Sequence, residues 1–206
     1  QPESFDVVLF RESAQYIEPL VIFDKALDLL PPSGDLFIID EFALKYDKAG
    51  AGGLHLLSGV VTLSERFGFE LVEHIDLSAM AAPTLDYLLQ VTTKHRKSLI
   101  NDLALDDTQL TQLDESNRTY QKKYASGHYG YALLHFRKKT TPKWRLRILD
   151  KNQTPELFDL FKKTFNHDMS PAFWQWKYGS NSGREIGVWQ ENKLIAHYGG
   201  INRKIL

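Results

Sequence analysis

Apolar and polar positions along this chain follow two periods, and the changes between them mark the elements. Phe5-Asp6-Val7-Val8-Leu9-Phe10 is a short apolar run rich in Val, which predicts a strand buried on both faces, as parallel sheets require. Glu18-Pro19 opens a helix, with Pro tolerated in the first turn, and Leu20, Phe23, Leu27 and Leu30 give it one apolar face. Pro31-Pro32-Ser33-Gly34-Asp35 stops it, and Leu36-Phe37-Ile38-Ile39-Asp40 is a second apolar run, read as another buried strand. Two such runs joined by one helix predict a βαβ unit with parallel, adjacent strands and a right-handed crossover.

Further along, residues 50–53 read as a glycine loop, and Leu54 to Phe67 as a helix ended by Gly68. Phe69 to Ile75 follow as a third strand. Pro83 to about Leu105 and Asp106 to about Tyr124 read as two helices whose many charges place them outside the sheet. Tyr129 to Phe136 return as a strand, closed by Arg137-Lys138-Lys139. The polar stretch Thr140-Thr141-Pro142 lies between two strand patterns and predicts a division. Residues 1–139 are expected to form one α/β domain, 140–143 a linker, and 144–206 a partial α+β domain. Within the last, Trp144 to Leu149 alternate as a half-buried strand, and Thr154 is expected to cap a helix that has Pro155 in its first turn. Pro171 opens a short aromatic helix through Tyr178. Glu185–Trp189 and Lys193–Tyr198 form a hairpin turned at Glu191-Asn192, and Ile205-Leu206 lie in an apolar segment.

Composition narrows the partners. Of 206 residues, 43% are hydrophobic and 12% aromatic, enough for a packed core. A formal net charge of -1 argues against a general basic surface for nucleic acid and against a polybasic membrane anchor. The absence of cysteine excludes disulfides, a thiolate zinc site and a cysteine nucleophile. No apolar run approaches the roughly 18–20 residues of a membrane span. Gln1-Pro2-Glu3 shows no signal-peptide pattern, so a cytoplasmic protein is expected, and the sequons at Asn117 and Asn152 are read as chance matches.

The runs "FDVVLFRESAQYI", "ALDLLPPSGDLFIIDEF", "FGFELVEHIDLSA" and "YGYALLHFRKK", in this order over residues 3–139, resemble the C-terminal half of a class I S-adenosylmethionine (SAM)-dependent methyltransferase. The resemblance implies a partial Rossmann-like sheet whose last strands are antiparallel, with SAM as cofactor and a small-molecule methyl acceptor. The family's glycine motif and its ribose-binding acidic residue are expected upstream of Gln1, since no G-x-G-x-x-G occurs in the chain. Over residues 144–206, "LFDLFKKTFNHDMSPAFWQWKYG" and "IGVWQENKLIAHYGGINRKIL" are similar to the start of a GNAT-superfamily acetyltransferase. That implies acetyl-CoA as a second cofactor, with its pyrophosphate turn beyond residue 206. The residues 1–206 alone are therefore expected to bind neither cofactor tightly. An amino sugar, polysaccharide precursor or natural product would suit such a pairing.

Ligands of open α/β sheets bind beyond the carboxyl ends of the strands. Arg11, Glu12 and Ser13 stand there after the first strand, and Asp40, Glu41 and Phe42 after the second. Glu12 is placed to orient an amine or hydroxyl or to act as a base, and equally to cap the following helix. The expected site is Glu12 and Ser13 as catalytic residues and Arg11 toward the cofactor. Tyr16, Asp40, Tyr124 and Tyr129 are expected toward the substrate. Tyr120, Tyr124, His128, Tyr129 and Tyr131 cluster where the helical pair rejoins the sheet, either lining a pocket or packing the helices down. The histidines at 55, 74, 95 and 135 lack metal-ligand spacing and receive no role. His197 and Tyr198 lie on a strand read either as facing an acyl acceptor or as burying His197 with a satisfied hydrogen bond. A non-catalytic scaffold is the competing reading. A nucleotide-dependent oxidoreductase shares the βαβ unit but fits the antiparallel close at 129–136 less well.

Overall fold

A computed structural model describes residues 3–46, 53–149, 153–178 and 183–201. The glycine loop at 50–52 and the apolar segment at 205–206 lie outside the described residues.

Strand β1 (Val7–Arg11) runs into a 3-10 turn at Ala14–Tyr16 and helix α1 (Pro19–Leu29). Strand β2 (Asp35–Ala43) then pairs with β1 in parallel, Val7 opposite Asp35 and Arg11 opposite Ile39, as the sequence predicts. Helix α2 (Leu57–Arg66) and strand β3 (Phe69–Asp76) follow, then α3 (Ser78–Ala81), α4 (Pro83–Leu103) and α5 (Asp107–Ala125). Strand β4 (Tyr129–Lys138) inserts antiparallel between β2 and β3, giving the order β1-β2-β4-β3. The result is a mixed α/β fold on a mixed sheet.

Two expectations fail locally. Helix α2 begins at Leu57 rather than Leu54, because the Ala43 N–H donates to His55 O (3.0 Å) and Leu56 bridges Ala43, holding this segment extended. Leu54 is buried, but outside the helix. Strand β1 is not buried on both faces. Val8 and Phe10 pack on the core, while Val7 and Leu9 are 52% and 58% exposed. Next to it, β2 buries Leu36, Ile38, Asp40 and Phe42 and leaves the alternate residues from Asp35 to Glu41 half-buried.

The core lies between one face of the sheet and helices α1 and α2. Phe23 is its centre, meeting Phe136 edge-on at 5.5 Å, Phe69 at 5.7 Å and Phe67 at 6.0 Å between ring centroids. Each ring buries a large apolar area, so this group contributes most of what holds α1 and α2 to the sheet. The α4–α5 pair is fixed separately. Asp106 caps α5 with a reciprocal Gln109 bond (2.7 and 2.9 Å), and Ala104 ends α4 in a left-handed conformation. Arg96 of α4 reaches Asp107 (2.7 Å) and Asp114 (3.2 Å) of α5.

A second sheet is fully antiparallel: β5 (Arg145–Ile148), β6 (Gly183–Gln190) and β7 (Lys193–Ile201), in that order. Helices α6 (Thr154–Phe165) and α7 (Pro171–Tyr178) connect β5 to β6. Gln153, not Thr154, occupies the cap position of α6, with Pro155 still in the first turn. Leu157, Trp174, Trp189 and Leu194 form the core of this part. Arg145 ties it to α1, reaching Asp24 (2.5 Å) and Asp28 (2.6 Å), with Arg147 also on Asp24 (3.2 Å).

Candidate functional site

The carboxyl ends of β1 and β2 and the underside of α3 and α4 enclose a cavity of about 440 Å³. Its polar wall is built from two carboxylate–tyrosine pairs. Glu41, third from the end of β2, lies opposite Tyr131 of β4 in the antiparallel register. Tyr124 descends from the last turn of α5 and donates its O–H to Glu41 Oε1 at 2.8 Å. Tyr131 in turn donates to Glu12 Oε1 at 2.7 Å.

Glu12 reaches that position through its backbone. Its N–H extends the β1–β2 pairing by donating to Ile39 O (2.9 Å), and then its φ of 51° turns the chain off the sheet. A non-glycine residue there costs about 1–2 kcal/mol unless its surroundings hold it. Several contacts hold this loop. Asp40 accepts from the backbone N–H of Gln15 (3.1 Å) and of Glu41 (2.8 Å). The His55 ring donates through Nε2 to Ile17 O (2.8 Å).

The cover is anchored just as closely. Leu77 N–H donates to Tyr131 O (2.8 Å), and Ser78 Oγ accepts from Tyr131 N–H (3.0 Å). A Cβ at Gly130 would lie 2.7 Å from that hydroxyl, so only glycine lets α3 sit this low. Leu77, Met80, Leu85 and Leu88 then form the apolar wall.

Burial raises the Glu41 carboxyl above the usual range, outweighing its Tyr124 bond, and the charges of Asp40 and Glu12 add to the rise. Tyr124 and Tyr131 are also raised, first by burial and then by donating to Glu41 and Glu12. Both hydroxyls therefore stay protonated and act as donors. The pairs can orient a polar group, accept a proton from it, and keep water from an apolar body.

Of the residues singled out in the sequence, Glu12 and Tyr124 line the cavity, and Ser13, Arg11, Tyr16, Asp40 and Tyr129 do not. Ser13 precedes the 3-10 turn without a side-chain cap bond, and Tyr16 is 81% exposed. Arg11 is also exposed. Asp40 is 1% exposed on the core face, where it serves the loop. Tyr129 packs beneath α5 with Tyr120, Ala43 and Leu54. Glu41 and Tyr131 complete the site. Strand alternation carries the signal for Glu41, since Leu36, Ile38, Asp40 and Phe42 share one face and leave Glu41 on the other. Among the described residues, no group of three or more His, Asp or Glu is arranged to hold a metal. Nor is any described helix long and apolar enough to cross a membrane.

No protein-family model and no curated protein sequence matches the chain. Solved structures do. A Galdieria sulphuraria structure assigned as a sarcosine dimethylglycine methyltransferase matches 67% of the chain at TM-score 0.60 and 14% identity, over 54% of its own length. A phosphoethanolamine N-methyltransferase 2 from Haemonchus contortus, solved with phosphomonomethylethanolamine and S-adenosylhomocysteine, matches 68% at TM-score 0.58 and 15% identity, over 34% of its length. A cyclopropane synthase from Mycobacterium tuberculosis matches 67% at TM-score 0.59 and 16% identity, over 57% of its length. The chain thus spans between a third and just over half of these structures, and shares the fold of class I SAM-dependent methyltransferases.

None of the described glycines with positive φ (Gly53, Gly68 and Gly127) forms a turn from a strand directly into a helix N-terminus, the geometry that cradles a nucleotide or dinucleotide.

Proposed function

We propose that this chain supplies the acceptor site of a SAM-dependent methyltransferase acting on a small molecule. The observation that carries this reading is the pair of Glu–Tyr contacts, Glu12–Tyr131 and Glu41–Tyr124, facing one cavity at the carboxyl edge of a methyltransferase-type sheet. SAM would supply an electrophilic methyl group whose bond electrons leave with sulfur. The chain's own work is to hold the acceptor and exclude water. Tyr131 fixes the Glu12 carboxylate, leaving its other oxygen for an acceptor N–H or O–H. Burial makes the Glu41 carboxylate more basic than usual, and it takes the acceptor's proton. Alignment and proton removal are the contributions such a displacement needs from protein. The test is transfer of radiolabelled methyl from SAM to small-molecule acceptors by the full-length protein. If the protein transfers no label to any acceptor, the scaffold reading takes its place.

The antiparallel sheet supports a second reading, acyl transfer from acetyl-CoA by a GNAT-like unit. Its order of strand, helix, short helix and hairpin agrees with the start of that fold. Glu185 accepts from Trp174 Nε1 (2.9 Å) and pairs with His197 Nε2 (3.1 Å). Burial lowers the His197 pKa despite Glu185, so the ring is available as a neutral base. Calorimetric titration with acetyl-CoA tests this reading separately.

A further inference from the structure

We propose that the carboxyl-edge cavity takes an organic cation, a protonated amine carried on an apolar body, as its methyl acceptor. This rests on the methyl-transfer reading of the same cavity. Glu12 and Glu41 are the charged residues of its lining, which includes no lysine, arginine or histidine among the described residues. Among the described residues, Glu12 and Glu41 each accept from a neutral tyrosine hydroxyl. The bonds orient the carboxylates without cancelling their charge. The two charges are near enough for Glu12, together with Asp40, to hinder ionisation of Glu41. Arg11 is close enough to influence Tyr131 and, like Glu12, is exposed, but it is not among the lining residues.

The cavity sets two like charges side by side, Glu41 partly buried and Glu12 exposed. A bound cation relieves that repulsion, an anion adds to it, and an alcohol does neither. The rings of Tyr124 and Tyr131 stand beside the carboxylates and suit a cation further. Across the cavity, Leu77, Met80, Leu85 and Leu88 offer apolar surface for the rest of the ligand. To become nucleophilic, the ammonium gives one N–H proton to the Glu41 carboxylate. This leaves a neutral amine with a free lone pair and a neutral carboxylic acid.

The test is calorimetry on the full chain with three ligands of similar shape: phenethylammonium, 2-phenylethanol and 3-phenylpropanoate. Phenethylammonium should bind roughly tenfold or more tightly than either of the others, as a charge-assisted contact does. Glu12→Gln and Glu41→Gln should each reduce that preference several-fold. The comparison on the unaltered chain stands even if a variant fails to fold. Equal affinities, no binding, or tighter binding of the carboxylate would overturn the proposal. A competition arm separates an acceptor cation from a donor sulfonium. Displacement of phenethylammonium by SAM would overturn the acceptor assignment, and unchanged binding would support it. Failure of the methyl-transfer reading is seen elsewhere, as absence of label transfer with the ammonium preference intact.

Discussion

Replacing Lys138 with methionine should destabilise the fold by about 2–3 kcal/mol. Lys138 is the last residue of β4 and is 2% exposed, although it stands in the basic run Arg137-Lys138-Lys139. Its burial follows from Pro31. The carbonyl of Leu27 in α1 would ordinarily accept from the N–H four residues on, and Pro31 has none. The Gly34 N–H, the corresponding donor for Leu30, is taken by Pro31 O (3.0 Å). Lys138 Nζ supplies both missing donors, to Leu27 O at 3.0 Å and Leu30 O at 2.6 Å. Two bonds from a charged donor are worth ~1.5–3 kcal/mol each. Returning the lysine's desolvation cost and burying a methionine stem offset about half of that sum. Glu3, 3.6 Å away and half exposed, contributes little, so Glu3→Gln should shift stability by under ~0.5 kcal/mol. Urea unfolding followed by tryptophan fluorescence measures both, with an unchanged slope confirming a pure stability effect. A Lys138→Met midpoint equal to that of the unaltered protein would refute this account of how α1 ends.

Gly68→Ala should cost ~2 kcal/mol or more in the same assay, since φ is +75° and the new Cβ would lie 2.2 Å from Thr140 O. Arg145→Met should cost about 2–3 kcal/mol, because Asp24 keeps only Arg147 as an ionic partner, and limited proteolysis should then cut more readily between 139 and 145. Glu41 has its carboxyl pKa raised in the fold, so its contribution to stability is fully present below the ordinary carboxyl pKa and is lost as pH rises through the folded value. Glu41→Gln should therefore raise the melting temperature relative to the unaltered protein at pH 7.5 and lose that advantage at pH 4. An equal shift at both values would contradict the cause assigned to the rise.

The parallel β1–β2 pair was legible because two apolar runs flank one helix-length segment and the Pro-Pro-Ser-Gly stop. The starts of α4 and α5 were legible at Pro83 and Asp106, and the structure adds that Asp106 caps α5 together with Gln109. Side-chain fates were less so. An apolar run cannot say that Val7 and Leu9 face outward while Val8 and Phe10 face the core, since all four are equally apolar. Asp40 and Glu41 look alike as acidic residues at a strand end, and alternation alone puts one in the loop's hydrogen bonds and the other in the cavity. Tyr129 and Tyr131 share a face of β4, yet only α5 overhead decides that Tyr129 is packed and Tyr131 is free to meet Glu12. That decision depends on residues far apart in sequence, which no local pattern records.

The central claim is that the Glu12–Tyr131 and Glu41–Tyr124 pairs hold the methyl acceptor. Its most direct test is steady-state methyl transfer from SAM by the full-length protein and its Glu12→Gln variant, alongside SAM affinity measured by calorimetry. The variant should lose roughly 10²-fold or more in turnover, the scale of a lost orienting or proton-accepting group, with SAM affinity nearly unchanged. Unchanged turnover, or a loss of SAM affinity that accounts for all of the lost rate, would contradict it.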